Sequence, residues 1–141
     1  MVNNFRVLLV DDEADLTATL AKRMRKRGVD AAVAHSGQEA LDSLAQRLVD
    51  VVVLDVRMPG LDGIETLREL KRRHPLVEVI LLTGHASVEV ALEGMELGAF
   101  DYLLKPADID DLLYKAQDAC EKKRLREERS KGRRPTKQAG K

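Results

Sequence analysis

The chain has 141 residues, of which 44% are hydrophobic and 3% aromatic, and its formal net charge is zero. This length suits one domain with an aliphatic core, no apolar stretch approaches the roughly 20 residues that span a bilayer, and the N-terminus lacks the layout of a signal peptide. The single cysteine, Cys120, cannot form an internal disulfide, so we expect a reducing, cytoplasmic compartment.

Five short β-type runs alternate along the chain with segments of helical periodicity. The first, third and fourth runs are almost continuously apolar, which is typical of central parallel strands buried on both faces. The predicted strands are Arg6–Val10, Asp30–Ala34, Val51–Leu54, Glu78–Thr83 and Asp101–Leu104.

The segments between these runs carry apolar residues at helical spacing and predict five amphipathic helices. Gly28 and Gly98 are expected to end the first and fourth helices, and Ser36 with Glu39 forms a candidate capping box at the start of the second. The predicted apolar stripes are Leu16, Leu20 and Met24; Leu41, Leu44, Ala45 and Leu48; Ile64, Leu67 and Leu70; Val88, Ala91, Leu92 and Met95; and Leu112, Leu113, Ala116 and Cys120.

Five βα units predict an α/β fold of three layers, in which right-handed crossovers connect a central parallel sheet. At this size the expected architecture is the flavodoxin-like (βα)5 sandwich with strand order 2-1-3-4-5. Residues 1–120 would form this domain, and the segment Pro59–Gly63 would be a turn that serves as scaffold.

The last 21 residues differ in composition from the rest of the chain. Residues 1–120 contain 14 basic and 21 acidic residues, whereas residues 121–141 contain 10 basic and 3 acidic ones. Because the apolar period also ends near residue 121, we predict a basic and disordered C-terminal tail, with an extension of the last helix as the alternative.

Carboxylates follow two strands that the predicted strand order makes neighbours. Asp11 and Asp12 come directly after the first strand, and Asp55 comes after the third. Ligands of such sheets bind outside the carboxyl ends of the strands, where the strand order switches. Since each charged pair would repel by roughly 3 kcal/mol at about 5 Å and an effective dielectric near 20, a cation should compensate. Three carboxylates indicate a hard ion, and Mg²⁺ fits best.

Two further strand ends point to the same crevice. The fourth strand ends on Thr83, and Lys105 follows the fifth. A hydroxyl, an ammonium group and a metal are suited to hold a phosphoryl group, because they donate hydrogen bonds to it and offset its charge.

The stretches "LLVDDE", "VVVLDVRMPGLDGIE" and "LLTGHASVEVALEGMELGAFDYLLKP" carry these residues. In content, order and spacing they resemble a response-regulator receiver domain of two-component signalling, over residues 6 to about 120. The sequence around Thr83 and Lys105 is most similar to that of receivers of the nitrogen-regulation type, which usually precede ATPase and DNA-binding modules.

The resemblance implies a role for each site residue. Asp55 would accept a phosphoryl group from the phosphohistidine of a histidine kinase or a histidine phosphotransfer protein. Mg²⁺ would be held by Asp12, by Asp11 partly through water, by Asp55 and by the main-chain oxygen of Arg57. Lys105 would contact the phosphoryl oxygens, and its bond to Pro106 is often cis in the family. Thr83 and Tyr102 would form the switch: the Thr83 hydroxyl moves onto the phosphate, and the Tyr102 ring changes rotamer.

We therefore expect a single-domain response regulator that acts by protein contact. Phosphorylation would change the face made by the fourth helix, the fifth strand and the fifth helix, and this face would contact a downstream protein target or a second copy of the chain. Such a protein catalyses only its own phosphorylation and dephosphorylation and is not otherwise an enzyme. No membrane insertion is expected.

Alternative functions remain open at this point. The chain could be a DNA-binding regulator acting through its basic tail, although no DNA-binding motif follows residue 120, so nucleic acid is the less favoured partner. It could also be a receiver module of a larger transcriptional activator. A phosphohydrolase with Asp55 as nucleophile is disfavoured because Arg57 stands where haloacid-dehalogenase-type enzymes carry a second acid. A nucleotidase is disfavoured because no G-x-x-x-x-G-K-[ST] loop exists.

Overall fold

The computed structural model describes residues 5–57 and 63–139, with side chains up to residue 131. Strands and helices alternate strictly, and all neighbouring strands are parallel, in the order β2-β1-β3-β4-β5. The predicted fold is thereby confirmed. The elements are β1 (Arg6–Val10), α1 (Ala14–Lys26), β2 (Asp30–Ala34), α2 (Gly37–Gln46), β3 (Val51–Asp55), α3 (Gly63–Arg73), β4 (Glu78–Thr83), a 3₁₀ turn (His85–Ser87), α4 (Val88–Glu96), β5 (Asp101–Leu104) and α5 (Ile109–Ala139).

The sheet separates two hydrophobic cores. Alternate residues of each strand face opposite sides, so Leu8 packs under α2, α3 and α4, whereas its neighbour Leu9 packs under α1 and α5. The central strands β3 and β4 are buried along their whole length, as the continuous apolar runs predicted. These two cores are the physical reason for the three-layer arrangement.

The predicted helix ends are also present. Gly28 (φ +87°) and Gly98 (φ +108°) follow α1 and α4 in the left-handed conformation, which glycine adopts without strain. At the start of α2 the Ser36 hydroxyl oxygen accepts from the Glu39 amide, and the Glu39 carboxylate accepts from the amide of His35. The capping box is therefore formed, with its second bond moved by one residue.

Three leucines of the predicted apolar stripes are exposed. Leu48 is 74% exposed because α2 ends at Gln46, so residue 48 no longer follows the helical period. Leu92 is 50% exposed because α4 buries Ala91 and Gly94, and residue 92 lies about 100° around the helix from residue 91. Leu16, in the first turn of α1, is 46% exposed. Membership of a predicted apolar stripe therefore does not bury these three leucines.

Residues 121–139 of the basic segment lie in α5, which continues to Ala139. The division into a domain over 1–120 and a separate tail stays a prediction. Within the ranges that the structure describes, no helix is both long and apolar enough to cross a membrane. Most of the predicted turn Pro59–Gly63 lies outside the described residues.

Candidate functional site

The carboxylates predicted to meet do lie together, at the carboxyl ends of β1 and β3. The strand register places Val10 beside Leu54, and therefore Asp11 beside Asp55. One oxygen from each of Asp11, Asp12 and Asp55 lies within 4.8 Å of the other two. Asp11 and Asp55 are buried and Asp12 is exposed, so the cluster is open to solvent at Asp12. All-oxygen ligands with access for water are the arrangement that Mg²⁺ prefers.

Lys105 brings a positive charge into this cluster from the end of β5. Its ammonium nitrogen lies 3.1 Å from Asp55 Oδ2 and 3.2 Å from Asp11 Oδ2. The backbone fixes its approach, because the Lys105 amide donates to the Thr83 carbonyl at 2.8 Å. The Lys105–Pro106 peptide bond is cis. Two buried carboxylates thus share one counter-ion.

Electrostatics oppose full ionisation of the site. Burial raises the pKa of Asp55, and the neighbouring Asp11 adds to this, although the Arg57 amide and Lys105 act in the other direction. Burial alone would lower the pKa of Lys105, but Asp55 and Asp11 together raise it above its ordinary value. The cluster therefore holds more negative charge than Lys105 compensates, as expected for a site that accepts a further cation.

The two predicted switch residues lie on one face of the sheet. Thr83 and Tyr102 share the side on which α4 packs, and Tyr102 is partly buried against that core. The Thr83 side chain is fully buried, and its hydroxyl donates to the Gly84 carbonyl at 3.1 Å. To reach a group on Asp55, this hydroxyl would have to give up that bond.

Arg57 lies beside the site but turns its side chain away from the carboxylates. Its amide donates to Asp55 Oδ1 at 3.2 Å, while its guanidinium donates to the hydroxyl of buried Ser87 at 3.2 Å. Arg57 therefore links the end of β3 to the 3₁₀ turn that precedes α4. Ser87 was not predicted as a site residue, because a serine before an amphipathic helix reads as an ordinary cap.

Gly63, the last residue of the turn predicted to serve as scaffold, lies against the backbone of the site. A Cβ atom placed there would lie 2.5 Å from Val56 Cα and 2.6 Å from the Asp55 carbonyl oxygen. The first residue of α3 thus presses directly on the backbone that carries Asp55. At Gly84, by contrast, an added Cβ would meet nothing within 4 Å.

An apolar cavity of about 270 Å³ adjoins the carboxylates. It lies between α1 and the loop after β5, and Asp11 and Lys105 form its polar end. Leu16 lines this cavity, which explains why a leucine of α1 is only half covered. The apolar wall is formed mainly by Leu9, Leu16, Leu20, Val53, Leu82, Pro106 and Ala107.

Comparison with known proteins assigns a family to this arrangement. Residues 7–117 match the family model of the response regulator receiver domain. The chain is 42% identical over 110 residues to the transcriptional regulatory protein ZraR of Escherichia coli O157:H7, covering 78% of this chain and 25% of ZraR. It is 40% identical over 103 residues to the DNA-binding transcriptional regulator NtrC of Klebsiella pneumoniae, covering 73% and 22%. The chain spans about a quarter of the length of these relatives.

Solved structures agree with this result. A response regulator receiver domain protein from Clostridium thermocellum superposes with a TM-score of 0.82 at 34% identity, over 86% of this chain and 98% of that one. NtrX from Brucella abortus superposes with a TM-score of 0.84 at 32% identity, over 92% of this chain and 30% of that one. The similarity thus includes a receiver of nearly the same length and the receiver part of a larger protein.

Proposed function

Because the chain belongs to the response regulator receiver family of two-component systems, we propose that it is a signalling switch in which Asp55 accepts a phosphoryl group from the phosphohistidine of a histidine kinase or phosphotransfer protein. The observation that carries this proposal is the position of Lys105, whose ammonium group joins Asp55 to Asp11 at the carboxyl ends of the strands. A phosphoryl group on Asp55 would meet this cation at once.

The donor set fits a magnesium ion. Receiver domains bind Mg²⁺ at an acidic pocket, and here Asp11, Asp12 and Asp55 would hold the ion together with the main-chain oxygen of Arg57. When bound, Mg²⁺ offsets the negative charge of the carboxylates and of the incoming phosphoryl group. The exposed position of Asp12 leaves a path to solvent by which the ion and its water ligands can enter.

In the proposed transfer, an oxygen of the Asp55 carboxylate attacks phosphorus. The phosphorus–nitrogen bond to the donor imidazole breaks, a phosphorus–oxygen bond forms, and the histidine leaves after taking a proton. Lys105 and nearby amides stabilise the charge on the transferring oxygens. Hydrolysis later returns Asp55 and inorganic phosphate, so the chain would catalyse only its own phosphorylation and dephosphorylation.

The proposed output is a change of the α4-β5-α5 face. A phosphoryl group on Asp55 carries roughly −1.5 to −2 charges and three acceptor oxygens, which would attract Lys105 and the Thr83 hydroxyl. Tyr102, on the same side of the sheet as Thr83, would follow. This face exposes three large apolar side chains, Leu92, Leu104 and Tyr114, and would contact a downstream protein target or a second copy of the chain.

The DNA-binding alternative gains little support from α5. The first four basic residues after position 120 pair with acids of this chain: Lys122 and Arg126 with Glu78, Lys123 with Asp50 and Glu127, and Arg124 with Glu121. Cations engaged in this way are less available to phosphates. A regulator that acts in the cytoplasm by protein contact remains our proposal. A place within a larger transcriptional activator, as in ZraR and NtrC, is the alternative.

Intact-mass spectrometry tests the proposed phosphorylation. The chain is incubated with Mg²⁺ and acetyl phosphate, beside Asp55→Asn. A gain of about 80 Da in the wild type alone, reversed by hydroxylamine, would identify an acyl phosphate on Asp55. An unchanged mass in the wild type, together with no binding of beryllium fluoride, would contradict the proposal.

A further inference from the structure

The end of the sheet opposite the carboxylate site contains two buried acids, Asp50 and Glu78. Asp50 immediately precedes β3, Glu78 begins β4, and the Glu78 amide donates to the Asp50 carbonyl at 3.2 Å. Asp50 is 6% exposed and Glu78 is fully buried. Buried carboxylates are costly unless they are paired with cations and hydrogen-bonded, so the source of their partners is informative.

We propose that Asp50 and Glu78 are docking residues for the α5 segment 121–127, and that they make this segment a fixed part of the receiver domain. Docking would make α5 one rigid element that runs from the α4-β5-α5 face past the end of the sheet where Asp50 and Glu78 lie. The direction in which the chain leaves the domain would then be set by these two carboxylates.

Asp50 is held from both ends of the chain. Arg6 donates to it through its amide at 2.8 Å and through two guanidinium nitrogens at 3.1 Å, and Lys123 donates at 3.1 Å. Lys123 also donates to Glu127 one turn further along α5, at 2.7 Å. The Lys123 side chain is 12% exposed, so α5 delivers its ammonium group into a partly dry site, where the ion pair is less screened than on an open surface.

Glu78 depends even more on the segment beyond residue 120. Arg126 donates to Glu78 Oε2 at 2.9 Å, and the ammonium nitrogen of Lys122 lies 3.9 Å from the same oxygen. The other oxygen, Oε1, has Lys71 at 3.9 Å and no hydrogen bond from the residues that the structure describes. Two of the three cations around this buried charge therefore come from the α5 extension.

The spacing of these cations matches the helix. Lys122 and Arg126 lie four residues apart and face Glu78, while Lys123 and Glu127, also four apart, lie in the adjacent row toward Asp50. Residues at this spacing occupy one face of a helix, so one orientation of α5 brings cations to both acids. Undocking would leave both carboxylates without these partners, which favours the docked state.

Hydrogen–deuterium exchange of the full chain tests docking. The wild type is compared with Glu78→Gln, with Arg126→Gln, with the double variant, and with Arg124→Gln as the matched control. Arg124 pairs with the exposed Glu121 of the same helix, and among the described residues it forms no ion pair with Asp50 or Glu78. We expect amides 121–127 to exchange at least tenfold faster in Arg126→Gln, and within twofold of the wild type in Arg124→Gln. A peptide of residues 109–131 gives the rate for an undocked segment.

The remaining variants separate docking from general loss of structure. Glu78→Gln removes the buried negative charge, so the further loss of Arg126 leaves no unpaired carboxylate at position 78. We therefore expect the double variant to exchange no faster than Glu78→Gln. The rate of phosphorylation by acetyl phosphate should stay within twofold of wild type in all of them, since the site lies at the other end of the sheet. Wild-type amides 121–127 that exchange as fast as in the peptide, or equal rates in Arg126→Gln and Arg124→Gln, would overturn the proposal.

Discussion

The ammonium nitrogen of Lys105 lies 3.1 Å from Oδ2 of Asp55, so the proposed phosphoacceptor already has a counter-ion before any phosphoryl group arrives. Lys105 holds Asp11 in the same way at 3.2 Å. The site is therefore organised around one cation and two buried anions, with the exposed carboxylates of Asp12 and Glu13 at the rim. Because negative charge is in excess, removing the cation and removing an anion should change the free energy of unfolding in opposite directions.

Replacing Lys105 by Met should destabilise the metal-free domain by about 1–3 kcal/mol, because two buried carboxylates lose their hydrogen-bonded cation. Mg²⁺ should then stabilise this variant more than it stabilises the wild type, since the ion would relieve a larger excess of negative charge. Urea denaturation with and without Mg²⁺ measures both effects.

Lys115→Met is the control for that experiment. Lys115 pairs with Asp101 at 2.6 Å, both side chains are about one-third exposed, and the pair lies away from the carboxylates. We expect a loss below about 1 kcal/mol and the wild-type response to Mg²⁺. Equal responses of Lys105→Met and wild type to Mg²⁺ would contradict the charge balance described for the site.

Removing an anion should have the opposite effect. Since burial and the proximity of Asp11 raise the pKa of Asp55, its charged form is disfavoured in the folded state, and ionisation of Asp55 opposes folding at neutral pH. Asp55→Asn should therefore raise the free energy of unfolding of the metal-free domain, by an amount of order 1 kcal/mol. Added Mg²⁺ should narrow or reverse the difference. A metal-free Asp55→Asn domain less stable than the wild type would contradict this prediction.

The strands and the meeting of the acids could be predicted from sequence, because apolar periodicity indicates the strands and the flavodoxin-like order expected for five βα units makes the first and third strands neighbours. Short continuous apolar runs at Val51–Leu54 and Val79–Leu82, alternating with segments of helical period, indicate buried strands, and acids that end parallel strands lie at one edge of the sheet. The exposure of Leu16 and Leu92 could not be predicted, because a helical period identifies an apolar stripe without saying how much of it the sheet covers.

The pairing of the buried acids Asp50 and Glu78 with α5 could not be predicted for a different reason. Glu78 reads as a polar residue at the edge of a strand, and its cation partner Arg126 is 48 residues away along the chain. Neither the strand pattern nor the charge run of the last helix indicates that the two will meet. The close approach of Gly63 to the Asp55 backbone is likewise a tertiary contact, visible only once α3 is placed against β3.

Gly63→Ala should impair both stability and phosphorylation. The new methyl group would overlap Val56 Cα and the Asp55 carbonyl oxygen, so α3 or the end of β3 must shift, which costs about 1–3 kcal/mol. A shift of the Asp55 backbone should also slow acyl-phosphate formation, because a displacement near 1 Å can cost on the order of 10²-fold in rate. Urea denaturation and the rate of mass gain with acetyl phosphate measure the two effects.

The matched substitution is Gly84→Ala, where an added Cβ meets nothing within 4 Å and φ is −80°. It should change stability by less than about 1 kcal/mol, since alanine adopts this backbone conformation without strain. If Gly63→Ala and Gly84→Ala proved equally mild, the contact between α3 and the Asp55 backbone would not constrain the site.

Asp50 should make stability depend on pH in the acid range. Burial alone would raise the pKa of Asp50, but hydrogen bonds from Arg6 and Lys123 lower it below the ordinary value of 3.8. A carboxyl whose folded pKa is depressed adds stability that is fully present above 3.8 and is lost as the pH falls through the lower folded value. The free energy of unfolding of wild type should thus exceed that of Asp50→Asn by roughly 2 kcal/mol at pH 7. This gap should shrink below pH 3.8.

Asp110→Asn is the control for this experiment. It removes an exposed pair with Arg27 and should cost less than about 1 kcal/mol at neutral pH. A difference in free energy of unfolding between wild type and Asp50→Asn that stays constant down to about one pH unit below 3.8 would show that Asp50 does not titrate with folding.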